Sequence, residues 1–117
     1  MIEETVLNYL NKKLAVPVFL ENRDIEEYVV IGKTGSGRVN FANSATFFLQ
    51  SYASTRYKAA LLNEQVKKAM DDLAELKEIS YSRLNTDYDF TDTAKKKYRY
   101  QAVYDIGFYE GGKINVK

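Results

Sequence analysis

The chain contains no cysteine and no histidine. The missing thiols remove disulfide scaffolds, thiol nucleophiles and thiolate metal sites together. They also fit a reducing compartment, although a thiol-free chain can work in either redox setting. The missing imidazoles matter more for function. Histidine is the commonest metal ligand, and it titrates near neutrality. Its absence excludes serine–histidine mechanisms and most zinc sites, leaving carboxylate, lysine or tyrosine chemistry to any enzyme. A strong charge of one sign is lacking too. The net charge is +1, without the global field that marks nucleic-acid binders. No apolar run approaches membrane-spanning length, and the N-terminal Met-Ile-Glu-Glu-Thr has no basic leader region. The expectation is a protein made in the cytoplasm, with no membrane partner.

What is present, over 117 residues, suits one domain. A chain of this size buries about two-thirds of the surface its unfolded form exposes, enough for one core without staples. Ile2 to Leu14 reads as a helix, with Glu3 and Glu4 in its first turn and Lys12 and Lys13 in its last, as the helix dipole favours. Ala15 to Glu21 reads as a strand, in which Pro17 marks an edge position or a start because it cannot donate to a ladder. Glu27 to Lys33 is a second strand, and Gly32 to Asn43 the longest irregular segment. Ala45 to Ala53 alternates as a third strand, with Phe47 and Leu49 on one face and Phe48 and Tyr52 on the other. Ser54 or Thr55 caps a second helix running to about Leu76, whose stripe is Ala59, Leu62, Val66, Ala69, Met70 and Leu73. Ile79 to Leu84 is a short strand, Asn85 to Thr93 a polar loop.

The longest alternating stretch follows, from Tyr98 to Tyr109. Tyr98, Tyr100, Ala102, Tyr104, Ile106 and Phe108 share one face; Arg99, Gln101, Val103, Asp105, Gly107 and Tyr109 share the other. The first face needs a cover, and the helical stripes can supply it. The order of elements therefore predicts a single α+β domain over 1–117, with two helices on one face of a mainly antiparallel sheet of four to five strands. Residues 111–117 form a short basic tail.

Few constellations suggest chemistry. Gly32-Lys33-Thr34 invites a phosphate-loop reading, but Glu27 stands where the motif needs its first glycine, and a strand follows in place of a helix. Asp87, Asp89 and Asp92 offer oxygen ligands but lack the glycine and closing glutamate of a calcium loop, so the expectation is a solvated turn anchored by Phe90. Asp71 and Asp72 are adjacent on a helix, point apart and read as surface charges. From Lys95 onward six basic residues (Lys95, Lys96, Lys97, Arg99, Lys113, Lys117) face two acidic ones (Asp105, Glu110). Basic residues interleaved with tyrosine are a weak signal for nucleic-acid contact, and alternation puts Tyr98 and Tyr100 on the core face, opposite Arg99.

Three stretches carry a resemblance. They are Phe48-Leu49-Gln50-Ser51-Tyr52-Ala53 leading into Tyr57-Lys58-Ala59-Ala60 and Asn63-Glu64; Asn85-Thr86-Asp87-Tyr88-Asp89-Phe90-Thr91-Asp92-Thr93; and Tyr98-Arg99-Tyr100-Gln101-Ala102-Val103-Tyr104. In order, length and composition the chain resembles the small tail-terminator and tail-completion proteins, often labelled minor capsid or minor tail proteins, of long-tailed phages and prophages of Gram-positive bacteria. The resemblance implies an α+β subunit of the virion that assembles into a ring, commonly a hexamer. Such a ring caps the head-proximal end of the tail tube, stops its polymerisation and presents a surface to the head connector, with DNA passing through its channel. It implies no enzyme activity, cofactor or metal, and no catalytic residue to carry over. A head-completion or connector adaptor subunit is the alternative, and a small nucleotide- or metal-binding enzyme using carboxylates or Lys33 a more distant one.

A closed ring needs two different patches of each subunit to meet. The second face of the last strand and the glycine-rich segment are the expected patches. The contact residues expected from them are Lys33, Arg38, Phe41, Arg99, Gln101, Asp105 and Tyr109.

Overall fold

The computed structural model describes residues 1–39 and 42–109; Phe41 and the expected basic tail at 111–117 lie outside the described residues. The elements in chain order are helix α1 (Ile2–Lys13), strands β1 (Val18–Phe19), β2 (Tyr28–Val39) and β3 (Ala42–Ala53), helix α2 (Arg56–Asp71) with a short 3-10 turn at Leu73–Glu75, and strands β4 (Ile79–Asp89) and β5 (Tyr98–Phe108). The five strands form one sheet in the order β1-β2-β3-β5-β4. The β1–β2 pair is parallel and every other pair antiparallel. Both helices lie on one side, as the sequence predicts for this α+β class.

Helix α1 buries Ile2, Val6, Tyr9 and Leu10, and α2 buries Ala59, Leu62, Val66, Ala69 and Met70. These stripes meet Val29, Ile31, Phe47, Leu49, Ala102, Tyr104, Ile106 and Phe108 from the sheet in one core. Thr55 caps α2, its side chain accepting the Lys58 amide at 3.1 Å. Two buried phenols lock the layers together. Tyr9 donates to the Ala69 carbonyl at 2.8 Å, joining the helices, and burial pushes its pKa up to about 12. Tyr104 lies within hydrogen-bond reach of the Asp71 carboxylate (2.7 Å) and the Lys67 carbonyl (3.0 Å), joining β5 to α2. Asp71 is therefore more than a surface charge.

Several boundaries differ from expectation, each for a physical reason. The stretch predicted as irregular from Gly32 to Asn43 is mostly strand: β2 runs to Val39 and β3 starts at Ala42, paired as far as Val39↔Ala42. Cross-strand pairing overrides the low β propensity of glycine here. At Gly32 an added Cβ would meet the Phe48 ring on the neighbouring strand, so a larger residue there would displace that ring. The expected strand at Ala15–Glu21 contracts to Val18–Phe19, just beyond Pro17. The expected loop from Asn85 is strand as far as Asp89. Its Asp87 and Asp89 face the helix layer and find partners there, so the ladder can continue. Asp87 Oδ2 accepts from Asn63 and from Lys67, both at 2.9 Å, and Asp89 pairs with Arg56 at 2.8 Å.

The sheet outruns its cover. The molecule is 53 Å long and only 23 and 21 Å across, whereas a sixteen-residue helix such as α2 spans about 24 Å. The hairpin end of β2, from Lys33 to Val39, is exposed.

Candidate functional site

Among the described residues, no helix lies on the sheet's second face. Directly opposed residues on neighbouring strands share a face, so the pairing registers give its side chains row by row. One row runs Tyr28, Tyr52, Arg99; the next Val30, Gln50, Gln101, Tyr88; the next Gly32, Phe48, Val103, Thr86; the next Gly35, Thr46, Asp105, Arg83.

Side chains in these rows hold one another. Gln50 Nε2 donates to Gln101 Oε1 at 2.8 Å, and Gln101 Nε2 donates in turn to the Tyr88 hydroxyl. Asp105 accepts from Thr46 Oγ1 at 2.9 Å and from Asn85 Nδ2 at 3.0 Å. Arg99 donates through Nε to the Phe90 carbonyl at 2.7 Å and through Nη1 to the Tyr52 hydroxyl at 3.2 Å. Its guanidinium lies 4.3 Å from the Phe90 ring centre and 5.8 Å from that of Tyr52. Tyr28 and Tyr52 stack with centroids 4.5 Å apart and planes 1° from parallel. Both are buried, although they sit on the side away from the helices, and with Val30 they form a second apolar cluster flanked by Phe19 and Phe48. Burial raises the Tyr28 pKa, with the Arg23 backbone acting in the opposite direction. Arranged this way, the face is a surface of paired amides, the Asp105 carboxylate and the guanidinium groups of Arg99 and Arg83.

The expected contact residues divide. Arg99, Gln101 and Asp105 stand together on this face, half-buried among their neighbours. Lys33 points to the helix side, where its ammonium meets Glu3 at 3.4 Å. Arg38 is near the exposed hairpin end and donates to Asn43 Oδ1 at 3.1 Å. Tyr109 follows β5, exposed, with its amide donating to the Glu78 carbonyl at 2.8 Å. Tyr28, Phe48, Gln50, Tyr52 and Tyr88 complete the face and were not among the expected contacts. Alternation in Ala45–Ala53 separates Phe48 and Tyr52 from the core residues, but the sequence carries no register that would join them to Arg99.

The other constellations disperse. Gly32-Lys33-Thr34 lies inside β2 and opens no helix. Of the three aspartates, Asp87 and Asp89 pair with α2, while Asp92 accepts the Lys95 amide at 3.2 Å and bridges to Lys97. Lys67 lowers the Asp87 pKa, with Asn63 adding to it. Among the described residues no group of three or more acidic side chains is placed to hold a metal, and no helix is long and apolar enough to cross a membrane. Lys95, Lys96 and Lys97 are exposed on the turn between β4 and β5, Lys96 in the left-handed region at φ 54°. No protein-family model matches the chain, and no curated protein matches it.

Proposed function

We propose that this protein is a structural subunit of a long-tailed phage or prophage particle. It forms a ring, possessing six subunits in the commonest form of such assemblies, that caps the head-proximal end of the tail tube. There it stops tube growth and joins tail to head, in the virion. The reading draws on the resemblance of the three sequence stretches described above. The observation that carries it structurally is the uncovered sheet face, whose polar side chains are already held by one another. A surface ordered before contact loses little further side-chain freedom on binding, which suits docking onto the tube protein or the head connector. Its partners on this reading are further copies of the chain, the tube protein and the head connector. The exposed Lys95–Lys97 turn suits salt-sensitive, sequence-independent contact with DNA in the channel.

Electron microscopy of particles lacking this protein tests the reading. Overlong tails, or tails unjoined to heads, are the expected result. Tails of normal length on filled heads would overturn it. Normal-length tails left unjoined would favour the connector-adaptor role.

A further inference from the structure

The last strand in the chain is not an edge of the sheet. β5 lies between β3 and β4 and has no free ladder to offer a neighbour. The free edges are elsewhere. Among the described residues no strand lies beyond β4, which is an edge strand along its whole length, Ile79–Asp89. β2 is covered on its outer side only where Val18 and Phe19 pair with Val29 and Val30, so the described part from Gly32 to Val39 has no strand beyond it. Unpaired ladder groups are a template for another chain.

We propose that copies of this chain join edge to edge, the outer edge of β4 on one subunit pairing antiparallel with the outer edge of β2 on the next. The inference rests on the ring reading and specifies its interface.

Direction supports it first. Three antiparallel steps separate β2 from β4 across β3 and β5, so the two edges run in opposite directions. Placing an identical, similarly oriented subunit alongside therefore gives an antiparallel junction and a sheet continuous around the ring. Height supports it next. Gly35, Thr46, Asp105 and Arg83 form one row, and Gly37, Ser44, Gly107 and Tyr81 another. A neighbour set level would oppose Gly35 to Arg83, Ser36 to Ser82 and Gly37 to Tyr81. That register keeps helix-side residues with helix-side residues, and open-face residues with open-face residues, as a continuous sheet needs. Side-chain room agrees. A Cβ at Gly35 would meet nothing within 4 Å, so Arg83 of a neighbour encounters no opposing side chain.

Bulges between Lys33 and Gly35, and on both sides of Tyr81–Leu84, confine the regular stretch to a few residues. Such irregularities blunt an edge. A short junction of this kind holds chiefly when the ring closes and every subunit is tied twice.

The cysteine-free sequence permits a clean test by disulfide trapping. Gly35→Cys and Arg83→Cys are prepared separately; both positions are exposed, and Gly35 has an ordinary negative-φ-compatible backbone with open space for the new side chain. Circular dichroism establishes that each folds. Oxidising the concentrated mixture is expected to give a covalent dimer that neither variant gives alone, since directly opposed strand residues bring Cβ atoms within disulfide range. The double variant is expected to give a ladder ending in a closed covalent ring. Dimers of Gly35→Cys alone, dimers of Arg83→Cys alone, or no mixed adduct would each overturn the edge pairing. A ring seen on tubes without the 35–83 adduct sinks this inference and spares the tail reading. Tails that form and join normally without the protein sink both.

Discussion

Replacing Asp87 by alanine tests how the open-edged sheet is fastened to its helices. Asp87 Oδ2 accepts from Asn63 Nδ2 and from Lys67 Nζ, each at 2.9 Å. Asn63 is 1% exposed, and its own Oδ1 has no partner, so Asp87 is the side chain's one hydrogen-bonded contact among the described residues. Removing the carboxylate strands a buried amide, at a cost of about 1–3 kcal/mol. Lys67 keeps Glu64 at 2.9 Å, and loss of its second ion pair adds only about 0–1 kcal/mol. The expected loss is about 2 kcal/mol near neutral pH, or a fall of about 1 M in the urea midpoint for a domain of this size. Adding Asn63→Leu should restore much of it, because the stranded amide is then gone.

The pH dependence has a definite sign. Lys67 and Asn63 hold the Asp87 carboxyl below its ordinary 3.8. A depressed carboxyl stabilises the fold above the unfolded pKa, and that contribution fades as pH falls through the lower folded value. Lys67 is raised above 10.5 by the hydrogen bonds it donates to Glu64 and then to Asp87. Its contribution is present below 10.5 and fades as pH rises through the folded value. The gap between wild type and Asp87→Ala should therefore be steady from about pH 5 to about pH 9 and narrow in acid. Urea titrations across that range are the assay. A gap below about 0.5 kcal/mol near neutrality, no narrowing in acid, or no rescue by Asn63→Leu would refute the account.

Tyr104→Phe keeps the ring in the core but removes the link to α2, and should cost about 1 kcal/mol, at the low end because Asp71 is exposed; equilibrium unfolding measures it. Thr55→Ala removes the α2 cap and should cost about 1 kcal/mol, while Thr55→Asp should retain stability in the same assay. On the proposed tail role, Arg99→Ala should leave the helix-side core intact yet weaken binding to the tube or connector at least tenfold, read by co-sedimentation with purified tubes; unchanged binding would remove the open face from the interface.

The fold was legible where burial imposes a period. Ala59, Leu62, Val66, Ala69 and Met70 announce α2, and the alternation from Tyr98 announces β5, of which Ala102, Tyr104, Ile106 and Phe108 are buried. Tyr98 and Tyr100 lie on the same face but are only half-buried. What escaped was strand built from residues that do not favour strands. Gly32 to Gly37 reads as a loop because nothing local says that β3 lies alongside, and Asp87 and Asp89 read as a loop because their partners Asn63, Lys67 and Arg56 are distant in sequence. The open face was half legible. Arg99, Gln101 and Asp105 follow from alternation within one strand, whereas Gln50 and Tyr88 join them only through register, a property of pairs of strands.

The chain has ten tyrosines and no tryptophan, which makes the Tyr28–Tyr52 stack an optical gauge. Two identical chromophores 4.5 Å apart with nearly parallel planes couple their electronic transitions, so their near-ultraviolet spectrum differs from that of isolated phenols. Arg99 and Lys97 both lie over Tyr52, so a partner that draws either cation away changes the surroundings of the stack. Docking on this face thus reports itself in the near ultraviolet without a dye, and Tyr52→Phe should silence the signal.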